Sequence, residues 1–243
     1  MSVAILAAMC FFSCDQQKQK NAGSGLVPFN RYTHVTINGH EVYLSPALVK
    51  EASLCDDFKR AVDKWTVELS EKLPAKMMRE FRSVKIFAEL NATPYKDPPA
   101  CYVGGVGKRS PNELKTAQFV FGNRAVINEK INSVEVTNTR RLMKDYVYPA
   151  VLLHEWAHMH HDLRLGFEDK SVKAAYAQAK ERKLYPPESY CMNNEKEYFA
   201  EMTVCYFYPG YQMHFSSIRK FKEKDIRGYE MIMKGYGIRD VVP

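Results

Sequence analysis

No two of the six cysteines in this sequence are spaced CxxC, so a cysteine-built zinc knuckle is excluded. No basic run of five or more residues occurs either. Lys and Arg are interleaved with acids, as in "KDIRGYEMIMKGYGIRD", and the net charge of +7 describes a solvated surface rather than a nucleic-acid footprint. The stretch "GGVG" has no Lys-Ser/Thr pair opening a helix behind it, so it makes no phosphate cradle. Internal repeats are absent, and no linker appears after residue 30. With 46 % hydrophobic and 26 % charged residues, the chain has enough apolar surface for one buried core.

The N-terminal run "SVAILAAMCFF" is too short to span a bilayer and has the length of a signal-peptide h-region, although a basic n-region is missing. Ser13-Cys14 resembles the end of a lipoprotein signal, with Phe11 and Phe12 bulkier than such signals usually carry. The expectation is a signal peptide over 1–14, a flexible tether over 15–29 and a single domain over 30–243. Export to the cell envelope or the medium follows from this, with Cys14 as a membrane tether. Cys55, Cys101, Cys191 and Cys205 then allow three pairings in an oxidising compartment, and one disulfide is expected there. Otherwise they are small buried hydrophobes.

From Arg31 onward, helix and strand signals alternate. "THVTINGHEVYLS" reads as a hairpin about Asn38-Gly39, with His34 and His40 as strand surface residues. Residues 45–73 read as one long amphipathic helix capped by Ser45. "SVKIFAEL", "QFVFGNRAVIN" and "NSVEVTN" read as strands, and 92–113 as a Pro/Gly-rich loop. Helices follow from near Tyr148, over 168–183 and over 194–208. The fold class is α+β, a small mixed sheet with helices and a helical C-terminal part.

The chemistry gathers in "YPAVLLHEWAHMHHD". His154 and His158 are four apart, so on a helix both rings reach one cation. Glu155 points beside that cation, where a base takes a proton from metal-bound water. This is the HExxH pattern of zinc hydrolases, expected by chance in on the order of one chain in a hundred of this size. The uncharged lead-in from Tyr146 to Leu153 places the histidines on a buried helix. A third ligand is needed. The extended form HExxHxxGxxH is excluded, because His161 and Arg164 stand where it needs Gly and His.

A carboxylate from a later helix fills the gap. Between Tyr198 and Tyr208 the sole charged residue is Glu201, and a lone carboxylate in so apolar a helix needs a partner. Glu197 lies one turn earlier on the same face. Glu197 is therefore read as the metal ligand, and Glu201 as acceptor of the free N–H of a ligand histidine. Glu195 is the rival ligand, but its same-face neighbour Phe199 offers no such acceptor. Tyr190 is a candidate donor to an oxyanion. His160 and His161 are read as neighbours of the site or surface residues.

The segments "HEWAHMHHDLRLGF", "YCMNNEKEYFAEMTVCYF" and "SVEVTNTRRLM" resemble the catalytic domain of anthrax lethal factor and a family of small metallopeptidases with that kind of site. The resemblance covers about residues 30–235 and is strongest over 133–208. It implies a single zincin-like domain of the gluzincin type, one Zn²⁺ held by His154, His158 and Glu197, Glu155 as general base, Glu201 beside the ligands, and Tyr190 assisting the oxyanion. Trp156 and Met159 depart from the family's usual residues, and the loop about Cys101 lacks a His-Pro found in many relatives.

The expected function is a zinc metallopeptidase hydrolysing peptide bonds of a peptide or protein substrate through a zinc-bound water activated by Glu155. "SVEVTN" would be the strand edge that aligns the substrate. Two alternatives remain open at this point: a non-catalytic zinc-binding envelope protein, and a zinc amidase acting on cell-wall peptides. Substrate preference and oligomeric state are not legible.

Overall fold

The computed structural model describes residues 26–94, 97–104, 118–121, 124–146, 148–210 and 215–240. The expected signal peptide, the Cys14 anchor and most of the tether lie outside them. Phe29, at the end of the expected tether, opens a 3-10 turn, and its ring lies 5.1 Å from that of Tyr43. No helix among the described residues is long and apolar enough to cross a membrane.

Asn38 and Gly39, at φ +50° and +82°, turn the chain between β1 (Thr33–Ile37) and β2 (His40–Leu44). That is the twist-matched hairpin turn its sequence calls for. The expected long helix is broken in two: α1 (Pro46–Lys50) and α2 (Ala52–Lys72) meet at Glu51, whose backbone leaves the helical region. Ser45 caps α1 through the Leu48 N–H. Then come α3 (Ala75–Arg82), β3 (Ile86–Ala88), β4 (Ala100–Val103), the hairpin β5 (Gln118–Phe121) and β6 (Arg124–Ile127), and β7 (Ser133–Val136). The helical half follows: α4 (Thr139–Asp145), α5 (Pro149–His160), α6 (Lys170–Glu181), α7 (Glu195–Phe207), α8 (Ile218–Lys224) and α9 (Ile226–Tyr236).

The architecture is α+β, with a mixed five-stranded sheet in the order β1-β2-β3-β7-β4. β3 runs parallel to both β2 and β7; β1 and β4 are antiparallel to their neighbours. Two expectations need correction. The loop assigned to 92–113 contains β4, and β7 ("SVEV") is interior, so the outer strand on this side is β4.

Strand alternation sorts the sheet's faces. Val42, Leu44, Ile86, Ala88, Ala100, Tyr102, Val134 and Val136 join the helices in the main core. His40 shares the parity of Val42 and Leu44, so it is fully buried and not on the surface as expected. Its ring stacks 5.1 Å from that of Trp156, which also stacks on Phe81 at 4.7 Å. Burial lowers the His40 pKa to about 4, so the ring packs as a neutral aromatic. His34 is exposed and paired with Glu41, as expected. Cys55, Cys101, Cys191 and Cys205 are free thiols, so the expected disulfide is not formed and the small-hydrophobe reading applies.

The opposite face carries a buried ion cluster. Lys130 Nζ lies 2.6 Å from both Glu89 Oε1 and Glu135 Oε1. Arg124 also pairs with Glu135, and the Tyr32 hydroxyl donates to Glu89. Two cations thus face two carboxylates. Replacing Lys130 with Met would leave Glu135 with Arg124 and Glu89 with the Tyr32 hydroxyl but no cation. Loss of one partner of a buried ion pair costs about 3 kcal/mol or more. Equilibrium urea unfolding of Lys130→Met should show a loss of that size, and an unchanged midpoint would mean the cluster contributes nothing.

Candidate metal centre

Helix α5 begins with Pro149 in its first turn and Tyr148 at its N-cap. It is buried on nearly every side, from Ala150 through Met159. His154 and Glu155 are each 8 % exposed, so the two polar residues lie in a mostly apolar wall. Helix α7 packs against α5 and is capped by Asn194, whose side chain accepts the N–H groups of Lys196 and Glu197 at 2.9 and 3.0 Å. That cap fixes the first turn and aims Glu197 at α5.

The donors converge. His154 Nε2 lies 3.0 Å from Glu197 Oε2, His158 Nε2 lies 3.3 Å from the same oxygen, and the two Nε2 atoms are 3.0 Å apart. A tetrahedral ion with bonds of about 2.0–2.2 Å sets its ligand atoms about 3.3 Å from one another, so the triangle has the right size. The protonation pattern argues the same way. His154 Nδ1 sits 2.9 Å from Glu201 Oε1, and a carboxylate accepts, so Nδ1 carries the hydrogen. In the neutral ring Nε2 is then a lone pair. It faces the carboxylate of Glu197 and the second imidazole, and such a cluster needs a cation. In a metal-free protein protons supply it. Burial pushes the His154 pKa down, but hydrogen bonds to Glu197 and Glu201 outweigh this and raise it well above the usual histidine value. Burial likewise pushes Glu197 up, yet His158 and His154 hold it well below the usual carboxylate range. The donor set is two imidazoles and one carboxylate, which suits zinc.

Glu155 stands beside this triangle and is not part of it. Its Oε2 accepts the backbone N–H of Tyr102 at 2.7 Å. Burial raises its pKa, with His154 and His158 opposing. Tyr190 opens a short 3-10 turn just before α7; its ring lies 5.8 Å from that of His154, and its hydroxyl bonds to Glu197. Every residue singled out for the site is therefore within one neighbourhood. The rival Glu195 is not part of the triangle; its charge bears instead on Lys173 and Tyr176 of α6. His160 and His161 are buried rather than on the surface. His160 sits 3.1 Å from Glu80 and 3.0 Å from the Gly235 carbonyl, and His161 packs on Phe167 and Phe199. The Tyr102 amide was not foreseen, because a backbone group on a strand hidden in an apparent loop leaves no mark in the sequence.

No family model matches the chain, and no curated protein matches it in sequence. Among solved structures it is similar to the PRO-PRO endopeptidase PPEP-2 from Paenibacillus alvei. The likeness covers 79 % of this chain and 96 % of that one, at 17 % identity and a TM-score of 0.38. At that score it carries no functional argument.

Two expected outcomes follow from the geometry. Hydrogen bonds to Glu197 and Glu201 raise the His154 pKa, so protons should compete with zinc for the site: binding should release protons and weaken as pH falls. Calorimetry in buffers of differing ionisation enthalpy reads their number, and no release would contradict the protonation pattern. In a chelator competition, Glu197→Ala should abolish tight zinc binding. Glu201→Ala should weaken it about 10- to 100-fold, and Glu195→Ala should leave it unchanged.

Proposed function

We propose that this chain is a zinc-dependent metallopeptidase of the gluzincin type, with His154, His158 and Glu197 as ligands. The observation that carries the reading is the convergence of three lone pairs on one point, with a fourth, unliganded carboxylate beside it. A bound zinc ion would polarise a carbonyl and make water acidic enough to attack it near neutral pH.

The side chains supply the rest. Glu155, its pKa raised by burial, takes the proton of the attacking water and passes it to the leaving amine. Its bond to the Tyr102 amide holds the carboxylate in place beside the metal triangle. Tyr190 can turn its hydroxyl from Glu197 to the oxyanion that develops on the substrate carbonyl. Glu201 keeps His154 in the tautomer that presents Nε2. The substrate in this reading is an extended peptide lying along β4, the outer strand next to α5, in place of the interior β7. Export of the protein stays part of the proposal and rests on residues 1–14 alone.

A structural zinc site has no use for Glu155, and this favours the catalytic reading over a non-catalytic metal-binding protein. A cell-wall amide would be cut by the same groups, so the assay pairs a mixed peptide library with a cell-wall digest. Chelator-sensitive cleavage of peptides is expected. Glu155→Gln should keep its zinc and lose about 10³-fold in kcat. Full activity in that variant, or in chelator-treated protein, would overturn the mechanism.

A further inference from the structure

Tyr102 is bound at both ends. Its amide donates to Glu155, and its hydroxyl reaches Asp162 Oδ2 at 3.1 Å and Asn132 Oδ1 at 3.2 Å. Asp162 lies on the π-helical turn His161–Leu165 that continues α5 beyond its histidines. Asn132, at φ +57°, turns the chain into β7. The ring is folded back along its own strand so closely that a Cβ on Gly104 would come within 1.9 Å of it. One side chain therefore ties the outer strand to the helix that carries Glu155 and to the turn that leads the neighbouring strand.

We propose that Tyr102 is a positioning residue for Glu155: its phenol, held by Asp162 and Asn132, fixes the outer strand so that its amide meets the Glu155 carboxylate. The inference rests on Glu155 being the general base. The phenol contributes by limiting the carboxylate's freedom, since small displacements of a reacting group are costly in rate. It is not among the donors of the metal triangle, so zinc affinity lies outside its role, while a loosened outer strand would also loosen the hold on a peptide lying along it.

The test uses uniformly ¹⁵N-labelled full chain, with zinc and without. In the wild type the residue 102 amide should resonate far downfield and exchange slowly, and Glu155→Gln should move it upfield. Tyr102→Phe keeps the ring and the amide but loses the hydroxyl. It should exchange at residue 102 at least tenfold faster and lose about tenfold in kcat, with zinc affinity within twofold. Asp162→Ala should shift the same readouts less, because Asn132 still accepts. Should Tyr102→Phe fail to fold, Asp162→Ala decides by the same measures. Unchanged amide exchange in a folded variant would overturn the proposal, as would a loss in which kcat and zinc affinity fall together. If the wild type binds zinc but cleaves nothing, the peptidase reading fails, while the amide readout still decides whether the phenol holds the strand against Glu155.

Discussion

The bond between Glu201 and His154 Nδ1 is the constraint on which the rest depends. It fixes where the ring's hydrogen sits, and so converts Nε2 into a lone pair aimed at Glu197 and His158. Without it the ring could take the other tautomer, and the three donors would be no better than a polar cluster. The same bond explains how α7 tolerates a carboxylate among Tyr198, Phe199, Met202 and Val204, all of them buried. Helix α7 is stable in this position because α5 supplies the partner, and α5 presents its histidines correctly because α7 supplies the acids. Packing and site chemistry are here a single requirement.

Helix α5 must also be fixed in rotation about its own axis, and Trp156 does this. It follows Glu155 directly and lies between the rings of His40 and Phe81. With Trp156 stacked on the sheet side and on α3, His154 and His158 have one direction left, toward α7. A smaller side chain at this place would leave the helix a looser fit. A buried, neutral His40 is the compensation: a flat ring that packs against the indole and, at a pKa near 4, brings no charge into the core.

The sequence made the site more legible than the sheet. HExxH spacing, the apolar lead-in and the lone Glu201 are local patterns, and each reports a local necessity. Pro149, Ser45 and Asn38-Gly39 were readable for the same reason. The misreadings share a cause of the opposite kind. His160 could be read as a surface residue because its pattern does not show that α5 is buried on nearly every side, where it meets Glu80 on α3 and Gly235 on α9. His40 looked like a turn-flanking polar residue, although its spacing from Val42 and Leu44 already placed it on their face. β4 is four residues among prolines and glycines, too short for alternation to show. Glu51 breaks the first long helix without a Pro or Gly to announce it. Strand order was never in the text at all, because pairing is a property of distant segments.

The ion cluster on the sheet's far face and Glu155 on the near face are linked through strand register. Glu135 is paired with Cys101, and Val134 with Tyr102. Glu135 must face Lys130 and Arg124, since no other buried cations are near enough to compensate it among the described residues. That pins the parity of β7, and the antiparallel pairing carries the parity to β4. Cys101 then lies on the ionic face, while Tyr102 turns its side chain to the core and its amide to the outer edge. A slip of one residue would exchange the two, pressing the tyrosine ring onto the charges and turning its amide away from Glu155. The charged cluster lies on the other face of the sheet, yet it selects the one register in which the amide of the outer strand meets Glu155.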